Sequence, residues 1–203
     1  MKKITINNLS IKYDDLLVLD QFNASFSQGI HWIQGLNGSG KSSLLKSLCG
    51  IVPIDKDTVK IMGFDLKTQS IKAKSSLCFV ADKPEVYPFM TGLQFLTLIA
   101  KIKETELSEE LFDFMDSIKL RQFNDTPFSE MSFGTRRKFT LCCVFIGRPQ
   151  VILLDEPFNG LDKITIEKFR LWLIQAKKEQ CVLVVSHDTH LLDNLYDSVQ
   201  VLD

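Results

Sequence analysis

Two hydrophobic periods alternate along this chain. Short runs rich in β-branched and Leu residues recur at Lys3–Ile6, Ile30–Gln34, Val59–Met62 and Leu77–Ala81, and again at Val151–Leu154 and Val182–Ser186; such runs predict strands. Between the fourth and fifth the pattern turns helical: Thr91–Lys103, Ser108–Leu120 and the segment after Gly134 each follow a cap or breaker residue. Leu93, Leu96 and Ile99, then Leu111, Phe114, Met115 and Ile118, fall at helical spacing, so each of the first two helices is expected to bury one face. The late runs VILLD and CVLVVS are apolar at consecutive positions, as in central parallel strands covered on both faces. Strands interleaved with helices define an α/β class, and such sheets bind ligands at the C-terminal ends of their strands. No internal repeat or Ser/Gly/Pro-rich linker divides the chain. The expectation is one domain over residues 1–203, with a core of 1–86 and 148–203 and an inserted helical segment at 87–147.

Composition narrows this picture by exclusion. With 45% hydrophobic and 24% charged residues in 203, disordered and fibrous classes drop out, and the length is sufficient for a core without disulfides. A formal net charge of −1 leaves no basic footprint, which argues against nucleic acid as the main ligand. No apolar stretch approaches the roughly 18–20 residues of a spanning helix, and MKKITINNLSIKY alternates where a signal peptide would be continuously apolar. A cytosolic location is therefore expected. Cys49, Cys78, Cys142, Cys143 and Cys181 sit in apolar surroundings without metal or redox spacing and read as buried, reduced thiols.

The chemistry concentrates in two places. Gly35-Leu36-Asn37-Gly38-Ser39-Gly40-Lys41-Ser42 satisfies GxxxxGK[ST] directly after the apolar run Ile30–Ile33 and before a helical pattern carrying Leu44, Leu45 and Leu48. A glycine-rich loop there lets backbone N–H groups surround phosphate, the helix start adds positive potential, Lys41 reaches the terminal phosphates, and the Ser42 hydroxyl is a Mg²⁺ ligand. Val151-Ile152-Leu153-Leu154-Asp155-Glu156-Pro157 ends a buried strand in two carboxylates. Asp155 is expected on the metal side, and Glu156 facing the γ-phosphate as base for the attacking water.

With these motifs the chain resembles the nucleotide-binding subunits of ABC transporters over essentially its whole length. Met131-Ser132-Phe133-Gly134-Thr135 stands where that family's signature lies, ahead of the basic helix start Arg136-Arg137-Lys138, with Phe133 and Thr135 replacing the first glycine and the glutamine of LSGGQ. Phe158-Asn159-Gly160-Leu161-Asp162 resembles the D-loop; His187 resembles the switch histidine; and Asp82 stands where the Q-loop glutamine is usual. The resemblance implies a P-loop core with a mixed sheet flanked by helices, an N-terminal antiparallel β subdomain and an inserted α-helical signature subdomain. It further implies ATP and Mg²⁺ as ligands. Tyr13 would stack on adenine, edge packing being its alternative; residues 35–42 and Ser43 would hold the phosphates; Ser42, Asp155 and Asp82 would serve the metal; and Glu156 and His187 would be catalytic. Ser132 and Gly134 would grip ATP on an opposite protomer, with Asp162 at the interface.

The partners implied are a second ATPase subunit, identical or not, and an integral membrane permease that keeps the chain at the cytoplasmic face of the membrane. The aromatic loop Pro84–Met90 is a candidate permease contact, with packing against the helical insertion as its alternative. The short length and the FNGLD form resemble ABC-2-type exporters. Two other readings stay open: an ABC-type ATPase acting on nucleic acid or the ribosome, for which coiled coils, zinc modules or basic extensions are missing, and a non-hydrolysing regulatory module, toward which Phe133 and Asp82 lean.

Overall fold

A computed structural model describes residues 1–83 and 85–202. Two sheets lie on either side of one core layer. The first is antiparallel throughout: β1 (Ile4–Tyr13) pairs with β2 (Leu16–Phe26) on one side and β4 (Val59–Ile61) on the other, and β5 (Phe64–Asp65) closes the edge. The second runs β6 (Leu77–Val80), β7 (Val151–Asp155), β8 (Cys181–Val185), β3 (Gly29–Gly35), β9 (Ser198–Leu202), with every pairing parallel. The mixture of strand directions expected from the resemblance thus resolves into two separate sheets.

Alternation explains why the central strands are apolar at every position. Ile152, Leu154, Val182, Val184, Ile30 and Trp32 point to one core, whereas Val151, Leu153, Cys181, Leu183, Val185 and Ile33 point to the other; successive strand side chains take opposite faces. The second core is closed by α1 (Lys41–Leu48) and the antiparallel sheet. The first is closed by α3 (Gly92–Ile102), α4 (Glu109–Ser117), α5 (Phe133–Leu141) and α6 (Lys163–Ala176). Short helices α2 (Ser70–Ser75) and α7 (Thr189–Leu192) complete the chain. Among the described residues no helix is long and apolar enough to cross a membrane.

The helix starts follow their caps. Thr91 and Gln94 form a reciprocal capping box on α3, and Ser108, Ser132 and Asp162 each accept a backbone N–H at the start of α4, α5 and α6. On α4 the expected stripe of Leu111, Phe114, Met115 and Ile118 is buried. On α3 the stripe is rotated: Gly92, Leu96 and Ala100 face the interior, and Leu93 and Ile99 are half-buried. The cause is Phe139 of α5, whose ring lies so close to Gly92 that a Cβ there would meet Cζ at 2.1 Å. The helix docks through its smallest side chains. Four of the five cysteines are buried, Cys143 is partly so, and all are free. In the aromatic loop, Pro84 lies outside the described residues, Val86 and Met90 pack on the core, and Tyr87 and Phe89 are exposed as a pair with ring centroids 5.7 Å apart.

The approach of Gly92 to Phe139 makes a stability test. Gly92→Ala should cost about 1–3 kcal/mol by overpacking, read as a lower midpoint in urea, and the double variant with Phe139→Leu should recover part of the loss because the two positions share one contact.

Candidate functional site

The site is assembled where β3, β6, β7 and β8 end on the same side of the parallel sheet. After β3 the chain turns through Gly38 and Gly40, both in the left-handed region at φ +88° and +90°. Gly40 also lies against Val18, where an added Cβ would fall 2.7 Å from Cγ1; only glycine meets both conditions. It precedes α1 without offering a side-chain cap, so the first-turn N–H groups of α1 are left for an anion. Lys41 is buried, and its Nζ donates to the carbonyls of Gly35 and Leu36, each at 2.8 Å. The Ser39 hydroxyl is buried against Gly35 and has no partner.

A cleft of about 500 Å³ opens over this loop, and its walls include Tyr13, Asn37, Gly38, Gly40, Lys41, Ser42, Ser43, Asp82, Asp155, Glu156 and His187. These eleven are all sequence-predicted positions. Gly35, Leu36 and Ser39 do not line it; the first two act through the carbonyls that hold Lys41. The Tyr13 hydroxyl is 3.3 Å from Ser43 Oγ, which ties the exposed ring to the first turn of α1. At the foot of the cleft the Ser42 hydroxyl donates to Asp155 Oδ1 at 3.2 Å. On the rim Asp82 Oδ1 accepts from Asn159 Nδ2 at 3.1 Å. A larger groove of about 560 Å³, lined by Glu110, Phe145, Arg148 and Trp172 among others, contains none of these residues.

Glu156 is the most constrained member. It follows β7 with φ +48°, a left-handed backbone that a glutamate rarely adopts, and its N–H donates to Val185 O at 2.9 Å. Its Oε2 accepts the His187 backbone N–H at 3.2 Å; its buried Oε1 has no hydrogen bond and lies 3.4 Å from His187 Nε2. Burial pushes the carboxyl above its ordinary range, the charges of Asp155 and Asp82 add to this, and the His187 N–H opposes it. Burial raises Asp155 in the same way, Asp82 adds to it, and the Ser42 hydroxyl opposes it.

One member escaped sequence reading. Arg137, read as part of a basic helix start, is fully buried. Its guanidinium donates to the carbonyls of Ala81, Asp155 at 2.9 Å and Glu156 at 2.7 Å, tying α5 to the ends of β6 and β7. Burial lowers its pKa against the pull of Asp82, Asp155 and Glu156. The available signal was spacing: Arg137 is flanked by Arg136 and Lys138 but falls four residues before the buried Leu141, on the same face of the helix.

Ser132, Gly134 and Asp162 lie outside the cleft. The Ser132 hydroxyl caps α5 by accepting the Thr135 N–H at 3.1 Å. Gly134 rests on Gly160, whose carbonyl would be 2.7 Å from an added Cβ, and the Phe133 ring packs on the same glycine. Lys138 reaches Asp162 at 2.5 Å. Although partial burial works the other way, Lys138 and the Thr165 N–H and hydroxyl hold the Asp162 carboxyl down at about 2. His31 is spent on Ser198 and the Ser27 carbonyl, and His190 is exposed, so neither belongs to the site.

The oxygen donors of Ser42 and Asp155, with a buried carboxylate short of compensating charge, suit a hard cation such as Mg²⁺. Among the described residues no group of three or more His, Cys, Asp or Glu is arranged to hold a metal alone. This fits Mg²⁺, which usually takes one or two carboxylates and completes its shell with phosphate and water.

Residues 19–159 match the family described as ABC transporter. Among curated relatives, Nod factor export ATP-binding protein I of Sinorhizobium fredii is 28% identical over 208 residues, covering 98% of this chain and 60% of the relative. Bacitracin transport ATP-binding protein BcrA of Enterococcus faecalis is 24% identical over 202 residues, covering 98% and 66%. Probable multidrug ABC transporter ATP-binding protein YbhF of Escherichia coli is 26% identical over 194 residues, covering 94% of this chain and 33% of the relative. The chain therefore spans between a third and two thirds of these relatives' lengths. A solved structure described as an ATP-binding subunit of an ABC transporter superposes with a TM-score of 0.88 at 23% identity, covering 98% of this chain and 85% of that one. A dimeric post-hydrolysis ATP-binding cassette bound to ADP and Pi superposes at 0.86 with 20% identity, covering 98% and 94%. The fold is the ABC ATPase fold.

The carboxylates carry opposite signs in stability. Glu156, raised in the folded state, contributes stability below its unfolded pKa and loses it as pH rises, so Glu156→Gln should raise the melting temperature of the nucleotide-free protein at neutral pH. Asp162, lowered from 3.8 to about 2, contributes above the first value and loses that contribution as pH falls toward the second. Asp162→Asn should therefore flatten the decline of urea midpoints across that acid window, and an unchanged slope would refute the Lys138–Asp162 assignment.

Proposed function

The chain belongs to the ABC transporter family, and from that membership we propose that it is the ATP-hydrolysing subunit of an exporter whose membrane-spanning part is a separate permease. The observation that carries this reading is the convergence of the Lys41 loop, the Ser42–Asp155 pair and the left-handed Glu156 on one cleft. ATP would enter with its base against Tyr13 and its phosphates over the start of α1. Lys41 would exchange the Gly35 and Leu36 carbonyls for phosphate oxygens, which binds charge without building a new site. Ser42 and Asp155 would hold Mg²⁺, with Asp82 reaching it from the rim; bound there, the ion supplies positive charge that offsets charge on the β- and γ-phosphates. Glu156 would take a proton from the attacking water at Oε1, the oxygen without a hydrogen bond to the protein. His187, 3.4 Å from that atom, would face the γ-phosphate beside it.

The dimer follows from what the cleft lacks. Ser132 and Gly134 lie outside their own nucleotide cleft at the positive end of α5, so they would serve a phosphate only on another subunit, identical or homologous. Asp162, joined to α5 through Lys138, would stand at the same interface. The helical segment 87–147 would move as a unit against the core of 1–86 and 148–203. The exposed Tyr87–Phe89 pair is the proposed permease contact and would hold the subunit at the cytoplasmic membrane face. Relatives named for Nod factor export and bacitracin transport support the exporter reading.

Replacing Glu156 with Gln should cut ATP turnover by about 10²–10⁴-fold while ATP still binds. In light scattering the Glu156→Gln variant should be a dimer with ATP and a monomer without it, and adding Ser132→Arg should abolish the dimer. Equal turnover before and after Glu156→Gln would defeat the hydrolytic assignment.

A further inference from the structure

Trp32 belongs to β3 and is 5% exposed, yet its indole nitrogen is not idle: Nε1–H donates to the Ser186 carbonyl at 3.2 Å. That carbonyl belongs to the same peptide as the His187 N–H, which donates to Glu156 Oε2 at 3.2 Å. A peptide unit is planar, so fixing the carbonyl fixes the direction of the N–H across it. The sheet does not do this, because Val185 is the last β8 residue in register with β3 and with β7. The Trp32 ring is itself braced by Tyr196, with centroids 5.3 Å apart.

We propose that Trp32 is a positioning residue for Glu156, acting through the Ser186–His187 peptide to aim the one N–H that holds Oε2 and so leaving Oε1 without a partner. The proposal rests on the hydrolytic reading of Glu156 and adds a group that touches neither nucleotide nor water. Two hydrogen bonds in series through one polarisable peptide strengthen each other. Without the indole N–H the peptide loses the bond on its carbonyl side, and the carboxylate loses one of the restraints on its rotamer. The consequence falls on turnover, because the phosphate loop and Tyr13 are untouched.

The test compares wild type, Trp32→Phe and Tyr196→Ala for kcat and KM of ATP hydrolysis, with the His187 amide followed by NMR in the nucleotide-free protein. Trp32→Phe should lower kcat about tenfold, the worth of one buried hydrogen bond, leave KM within about twofold, and shift the His187 amide proton upfield. Tyr196→Ala, which keeps the indole N–H, should leave kcat within about twofold and the amide shift unchanged. A Trp32→Phe protein with wild-type kcat, or an unmoved His187 amide, overturns the proposal; so does an equal loss of kcat in Tyr196→Ala, which would make packing the cause. If Trp32→Phe fails to fold, β-(3-benzothienyl)alanine at position 32 keeps the bicyclic shape and removes only the N–H. Should wild type and Glu156→Gln turn over ATP equally, the hydrolytic reading fails, and the His187 amide still decides whether Trp32 orients that peptide.

Discussion

A guanidinium with no exposure to solvent holds the strand ends beneath the candidate site together. Arg137 reaches from α5 to the carbonyls of Ala81, Asp155 and Glu156, spanning the ends of two neighbouring strands. Burying a cation is costly unless it is paired and hydrogen-bonded. Here three carbonyls accept from it, and the charges of Asp82, Asp155 and Glu156 favour its ionised form. The consequence is mechanical as well as electrostatic. Glu156 is kept in a left-handed backbone by bonds on both sides of its peptide links, with Val185 accepting from its N–H and Arg137 donating to its carbonyl. The helix that carries Ser132 at one end thereby carries an anchor for the proposed base a little more than one turn away.

The cleft is built at the expense of the fold. Asp155 and Glu156 are both pushed toward the neutral form by burial, and Asp82 adds a third negative charge to the same walls. Lys41, the cation nearest the phosphate loop, is turned onto two carbonyls and does not pair with a carboxylate. Ser39 and Glu156 each leave a buried oxygen without a partner. These are groups that a stability optimum would remove, and they are gathered where a polyphosphate and a divalent cation would satisfy them together. Such conflict between local stability and site chemistry is expected where ligand binding completes the structure.

How far the sequence exposed this depends on the kind of signal. Strands β3, β7 and β8 were legible because burial on both faces leaves uninterrupted apolar runs. The 11-residue β2 was not, since as an edge strand it buries only Leu19 and Phe26 and reads LLVLDQFNASF without clean alternation. β9, exposed along most of its length, was missed for the same reason. The phosphate loop and the Asp155-Glu156 pair are contiguous, so spacing alone located them. Arg137 and Trp32 act on partners 18 to 56 and 154 residues away respectively. A linear pattern carries no term for such a contact, and a tryptophan inside an apolar strand reads as core whether or not its N–H is used.

Three segments converge on Glu156, and each restrains something different. Arg137, from the helical insertion, fixes the carbonyl and with it the backbone. The Ser186–His187 peptide, from the end of β8, fixes one carboxylate oxygen. Asn159, three residues downstream, donates its own N–H to the Glu156 carbonyl and its side-chain amide to Asp82 on β6's continuation. The Glu156 carbonyl therefore accepts from both α5 and the loop after Pro157, so a movement of either segment changes the hydrogen bonding of the same oxygen. Phe133 tightens the connection, because its ring packs on Gly160 and Lys138 reaches Asp162, which fastens α5 to that loop at two points. With α5 and the Phe158–Asp162 loop joined in this way, there is little freedom to move one without the other. Contact made at the start of α5 would then reach Glu156 through short, directional bonds, without rearranging the two cores that the central strands hold apart.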